Sequence, residues 1–171
     1  MACLLTQAFV WECKNDTVGV KAIYLVDFNS TDTVTKASGE ITAHTLVSSR
    51  VYFKHEFEKY TGEFNQTLTP NEENGSVMYE AEVKYRLYNL STAKRNELKL
   101  MAKTRLRAIV RDMADQYWML GADTGARLQP STGSAGKDAS DFNGWEVVIK
   151  HKEADLPQLV QAAVVTSLSL T

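Results

Sequence analysis

Several things are scarce in this chain of 171 residues, and each scarcity excludes something. There are only two cysteines, Cys3 and Cys13. They lie ten positions apart, with no set of partners for a metal site nearby at ligand spacing. They read as reduced thiols rather than as a disulfide framework or a metal site. The three histidines, His44, His55 and His151, are spread one by one through strand-like patterns, so no pair has the spacing of helical metal ligands. No apolar run approaches the length of a membrane helix. The opening Met1-Ala2-Cys3-Leu4-Leu5 lacks the positive flank and cleavage site of a signal peptide. An excess of positive charge is also missing. Nineteen Lys and Arg against 21 Asp and Glu give a net charge of −2, whereas a dedicated DNA-binding domain is usually basic overall.

Motifs of catalysis are missing too. Gly133-Ser134-Ala135-Gly136-Lys137-Asp138 resembles part of a phosphate-binding loop. Ser131 stands where the first Gly should be, and Asp138 where Ser or Thr should follow the Lys. Asp141-Phe142-Asn143-Gly144 has the middle of a calcium loop, but Ala139 and Lys150 occupy its first and last ligand positions. There is no G-x-S-x-G elbow. No catalytic residue, cofactor or metal site is expected. A lone His55 on an apolar face reads as a hydrogen-bonded core or interface residue.

What is present is a β-rich core, with 44% hydrophobic residues in a length suited to one domain, 1–171. Val77 to Leu87 alternates strictly, with Val77, Tyr79, Ala81, Val83, Tyr85 and Leu87 on one face, which predicts a half-buried antiparallel strand. Ser91 or Thr92 can cap a helix, and Ala93 to Lys103 holds no Gly, Pro or β-branched residue, which predicts a short helix over about 92–103. From Arg105 the period returns to two. Leu106, Ala108 and Val110 face one way, and Arg105, Arg107, Ile109 and Arg111 the other. Asp112 to Asp115 reads as a turn, and Gln116 to Leu120 as a returning strand covered on both faces.

Elsewhere, strands are expected over Gly19–Phe28, Ile41–Leu46, Val51–Phe57 (continuing through Tyr60–Leu68 after a bend at Gly62) and Trp145–His151. Cys3–Trp11 reads as a first strand or extended arm, and Lys14–Asp16 as a turn. Asn29–Lys36 reads as a loop, Pro70–Gly75 as a hairpin tip, and Gln129–Gly144 as a long functional or flexible loop. Val160–Leu170 reads as a terminal strand or arm. The fold class expected is mainly β with one helix, an antiparallel β-sandwich or barrel flanked by that helix.

Between Lys94 and Arg111 lie seven cations, Lys94, Arg95, Lys99, Lys103, Arg105, Arg107 and Arg111, and a single acid, Glu97. They read either as a solvated face offset by acids such as Glu80 and Glu82, or as a contact surface for an acidic partner subunit or nucleic acid.

The chain resembles the small virion proteins of tailed bacteriophages. The resemblance is carried by Met1-Ala2-Cys3…Thr6, Cys13-Lys14, Gly19-Val20-Lys21-Ala22-Ile23-Tyr24, Ala93-Lys94-Arg95-Asn96-Glu97-Leu98, Leu106-Arg107-Ala108-Ile109-Val110, Tyr117-Trp118-Met119-Leu120-Gly121 and Asn143-Gly144-Trp145-Glu146-Val147. Within that group it is most similar to tail tube proteins. The resemblance implies a structural subunit, not an enzyme, assembled in the host cytoplasm into stacked, usually hexameric, rings around a channel for DNA. It implies as partners further copies of the chain, sheath, baseplate or terminator proteins, and transient non-specific contact with DNA. Ser131, Gly133, Gly136, Lys137 and Asp138 would then sit on a ring-to-ring loop, and the basic stripe at a subunit interface or facing DNA. A terminator, connector or head decoration protein, or a nucleic-acid-binding module, are the alternatives.

Overall fold

Two β-sheets face each other, and the shared apolar layer between them is what the alternating strands were built to bury. The computed structural model describes residues 19–71, 73, 75–138 and 140–168. The expected arm over Cys3–Trp11, the turn at Lys14–Asp16 and both cysteines lie outside the described residues. Fourteen elements follow in order: β1 (Val20–Asp27), β2 (Thr33–Ala37), β3 (Glu40–Thr45), β4 (Phe53–His55), β5 (Glu63–Asn71), β6 (Ser76–Tyr88), α1 (Thr92–Met101), β7 (Leu106–Asp112), β8 (Tyr117–Leu120), β9 (Arg127–Leu128), β10 (Thr132–Ser134), β11 (Gly144–Glu153), β12 (Gln158–Val160) and α2 (Ala162–Ser167). The fold is mainly β, with 51% of the described residues in strands, and is sandwich-like as expected.

The larger sheet has the order β2-β3-β12-β8-β7-β1-β4; the smaller runs β10-β11-β6-β5, with β9 also on β11. Ile23 and Leu25 of β1, Ala108 and Val110 of β7, Val83 and Tyr85 of β6 and Val147 and Ile149 of β11 meet between the sheets. Leu98 and Met101 of α1 join them. The helix forms where its sequence allows. Ser91 caps it, its Oγ accepting from the Lys94 amide at 3.3 Å, and its one apolar stripe closes an end of the sandwich.

Three expectations need correction. The larger sheet is covered on its second face as well, because Ala22, Tyr24, Ile109 and Met119 pack against α2 through Val164 and Val165. Residues 162–167 therefore form a second helix, not a strand or arm. Asn29–Lys36 is not all loop, since Thr33 onward pairs with β3 as an edge strand. Gln129–Gly144 is not a free loop either. Thr132–Ser134 pairs with Gly144–Glu146, so the segment is largely a hairpin. The sequence hid that strand because its Thr-Gly-Ser is small and polar. Gly133 is required there: a Cβ would stand 2.9 Å from the Trp145 ring. A parallel pair, β12 on β3, interrupts the otherwise antiparallel arrangement.

Ile149→Ala, fully buried between the sheets, is expected to cost about 2–5 kcal/mol in urea unfolding. Leu100→Ala, on the exposed side of α1 at 60% accessibility, should stay within about 0.5 kcal/mol.

Candidate functional site

The basic stripe is continuous in sequence but the fold divides it. Lys94 turns back along the sheet end, its Nζ donating to the Tyr88 carbonyl. Arg95 and Lys99 are exposed on α1 and border a cleft floored by Leu98, Leu128 and Trp145. Lys103 borders a separate groove of about 600 Å³ between α1 and β4, where Leu25, Val51, Phe53, Leu100 and Met101 supply an apolar lining.

Arg105 belongs elsewhere. It donates to the Thr124 carbonyl at 3.1 Å and lies 4.9 Å over the Phe28 ring. It faces a cleft of about 510 Å³ shared with Arg127, Lys150 and Lys152. Two strands and a loop thus bring together cations that lie 47 positions apart in sequence (Arg105 to Lys152). Sequence reasoning missed Arg127, Lys150 and Lys152. The period-two spacing of Lys150 and Lys152, on the outer face of a strand, was the available signal.

Arg107 is corrected outright: it is not on any surface. Its side chain is 2% accessible, and it donates to Asp32 Oδ2 at 2.6 Å and to the Ala122 carbonyl at 3.1 Å. The ring of Phe28 lies 5.0 Å from its guanidinium carbon. The Asp32 carboxylate is fully inaccessible although its backbone reaches solvent. It also accepts from Arg50 and, at 3.0 Å, from the Val47 amide. Burial pushes the Asp32 pKa up. The hydrogen bonds from Val47, Arg50 and Arg107 outweigh that and hold it below the usual carboxylate range. Arg111 closes the stripe at the far end of β7, paired with Asp115 at 2.8 Å and over the Tyr117 ring.

The residues assigned to a ring-to-ring loop also separate. Ser131 stitches the sheet edge, its Oγ donating to the Gln129 carbonyl at 3.0 Å and accepting from the Val148 amide at 3.3 Å. Gly133 lies within β10. Only Gly136, Lys137 and Asp138 sit at the exposed hairpin tip, where Asp141 Oδ2 accepts from the amides of Lys137 and Asp138 at 2.8 and 2.9 Å.

The histidines are interior hydrogen-bonding groups. His44 Nε2 meets the Tyr52 hydroxyl at 2.9 Å, and His55 Nδ1 meets the Tyr85 hydroxyl at 3.0 Å. His151 Nδ1 accepts from the Gly121 amide at 2.9 Å. Burial is the leading cause that lowers the pKa of all three. Among the described residues no group of three or more His, Cys, Asp or Glu is placed to hold a metal ion. No described helix is long and apolar enough to cross a membrane.

The outer face of the smaller sheet carries a run of ion pairs. Arg86 pairs with Glu146 at 3.4 Å and Lys84 with Glu82 at 3.0 Å. Lys150 and Lys152 each reach Glu80 at 2.5 Å. Comparisons with family models, curated proteins and solved structures return no match.

Arg107→Met leaves the Asp32 carboxylate short of a buried donor and is expected to cost about 3 kcal/mol in denaturant unfolding. Adding Asp32→Asn should recover part of the loss, and Arg105→Met should change little. Because the three histidines titrate lower in the folded chain than in the unfolded one, the unfolded chain binds more protons below its own histidine pKa of roughly 6.5. Urea midpoints should therefore hold above pH 7 and fall as pH drops from there toward 5; a midpoint that rose on acidification would contradict this.

Proposed function

We propose that this chain is a structural subunit that assembles with copies of itself into stacked rings, as a tail tube subunit of a tailed bacteriophage does. One observation carries the reading. The smaller sheet buries one face against the larger sheet and leaves the other uncovered. Strand β5 on one side and β9 with β10 on the other have no further partner among the described residues. A sheet with two open edges is prone to pair with other chains. Joining such sheets edge to edge in a ring closes every edge and turns the uncovered faces to a common channel.

The chemistry of that face suits a channel for DNA. Its cations are matched by neighbouring carboxylates on the same face, so little net field remains to hold a phosphate backbone in place. Sequence resemblance points the same way. Hexameric symmetry is the arrangement it implies.

A second reading rests on the cleft of Arg105, Arg127, Lys150 and Lys152, where four cations meet and, among the described residues, Glu80 is the one carboxylate paired with them. Such a cleft suits phosphate groups, and the chain would then act as a nucleic-acid-binding module.

Electron microscopy of the purified full chain at high concentration is expected to show hollow tubes or rings. Isolated rings that never stack would favour a terminator or connector. Under the proposed function, the pair Arg105→Glu and Arg127→Glu leaves assembly intact. DNA binding that falls steeply with salt and is lost in that pair, in a chain that does not assemble, would favour the second reading instead.

A further inference from the structure

The corner between β4 and β5 holds an aromatic side chain out in solvent on a strained backbone. Residues 58–61 form a tight turn. The Thr61 amide donates to the Glu58 carbonyl at 3.2 Å, and the Thr61 hydroxyl donates to the same oxygen at 2.6 Å. Tyr60 takes the left-handed conformation in this turn, with φ of 62°, and is the one bulky side chain so placed among the described residues. Such a conformation is unfavourable for a large residue and points to a function. The fold does not bury the ring, since Tyr60 is 73% exposed. The base of the turn is firmly anchored. The Phe57 ring packs on Tyr85 at 5.4 Å, and a Cβ at Gly62 would stand 2.4 Å from it. Glu56 is paired with Lys54. Glu58 and Glu63 make no ion pair among the described residues and outnumber Lys59, the other charge at this corner.

A recess of matching chemistry lies on the opposite margin of the smaller sheet. Leu98 and Ala102 of the α1 end, Leu128 of β9 and Trp145 of β11 line a cleft of about 440 Å³, with Arg95 and Lys99 at its rim. The two cations stand four residues apart, where like charges weaken a helix. Neither has an acidic partner among the described residues. No acid lines the cleft, because Glu97 faces the other side of α1, toward β4. Corner and cleft lie at nearly one height. Glu63, just past the turn, is level with Lys84 of β6; Trp145 is level with Leu87. Those positions differ by roughly 10 Å along the strand. Strand order puts β5 on one margin and β9 with β10 on the other, β6 and β11 lying between. Tyr60 therefore cannot enter the cleft of its own chain.

We infer that the turn of Glu58 and Tyr60 on one copy docks in the α1–β9 cleft of the next copy around a ring; the inference rests on the reading of the chain as a ring-forming subunit and names the side-chain contact that joins neighbours. The Tyr60 ring enters between Leu98, Leu128 and Trp145, and Glu58 meets Arg95 and Lys99. A tyrosine anchor in an apolar pocket is a common centre of protein interfaces. The anchored turn leaves little to order on docking. The two surfaces differ and lie on opposite margins, so the contact is heterologous, and it closes into a ring where the rotation between copies allows.

Two single variants test it in the full chain. Tyr60→Gly removes the ring and keeps the turn, because glycine tolerates the left-handed backbone. Arg95→Glu reverses the rim charge and sets a carboxylate four residues before Lys99, a spacing that supports the helix. Urea midpoints of both should stay close to that of the wild type. Each variant is expected to raise the concentration at which rings sediment by on the order of tenfold or more. Mixed together, they should form particles of two chains that grow no further, because one intact turn meets one intact cleft; this pairing also shows that both are folded. Ring formation by either variant as in wild type overturns the inference and leaves the ring reading standing. A mixture that does not pair overturns it as well. Open filaments from the wild type, lost in both variants, uphold the docking and sink the ring reading. A wild-type chain that stays monomeric at its highest soluble concentration overturns both.

Discussion

The irregular segments at the outer face of the larger sheet are held in place by one buried carboxylate. Asp32 lies just before an edge strand, and its side chain is inaccessible. A buried carboxylate is tolerable only when its lone pairs are filled, and here three donors fill them: the Val47 amide, Arg50 and Arg107. Those donors come from two separate stretches of chain. One carboxylate therefore ties the 28–32 segment to the 47–50 loop and both to the start of β7. Arg50 extends the knot by donating to the Asp27 carbonyl at the end of β1. Apolar packing gives this layer most of its stability, while the charge fixes how its irregular segments are placed.

Much of the frame was legible in the sequence. The alternation of Val83 and Tyr85, or of Ala108 and Val110, reports a buried face whatever the tertiary context, and Ser91 announces the helix start. What was not legible depended on pairing in space. Arg107 looks like its neighbours Arg105 and Arg111 because period-two spacing says which face a residue takes, not whether that face is covered. Here α2 and Tyr52 cover it. Asp32 sits in a polar run with no signal distinguishing it from a surface loop. Strand β10 lacked β-branched or aromatic residues beyond Thr132 and was therefore indistinguishable from loop. The basic cleft assembles residues from the loop before β7, from β9 and from β11, which no local pattern connects.

The two sheets have opposite relations to their surroundings. The larger has both faces covered, the outer one by α2 and Tyr52, and ends in the short edge strands β2 and β4. The smaller is half-finished, with paired charges on its outer face and bare strand edges on both sides. Proteins that remain single usually shorten or block such edges. Pro70 and the irregular β9–β10 edge do this only in part, since β5 offers nine residues of strand. That asymmetry, more than any single residue, is why the chain reads as a component.

Strand β12 lies inside the larger sheet, between β3 and β8, rather than at its rim. It joins elements far apart in the chain: Gln161, next to β12, bonds Glu40 across 121 positions. While the chain is being translated, β2 and β3 have no sheet to join until residues 158–160 leave the ribosome. Contacts of such range make folding slow. The β2–β3 hairpin therefore waits for β12, with Ile41 uncovered. Until β12 arrives, the half-made larger sheet has a further sticky edge.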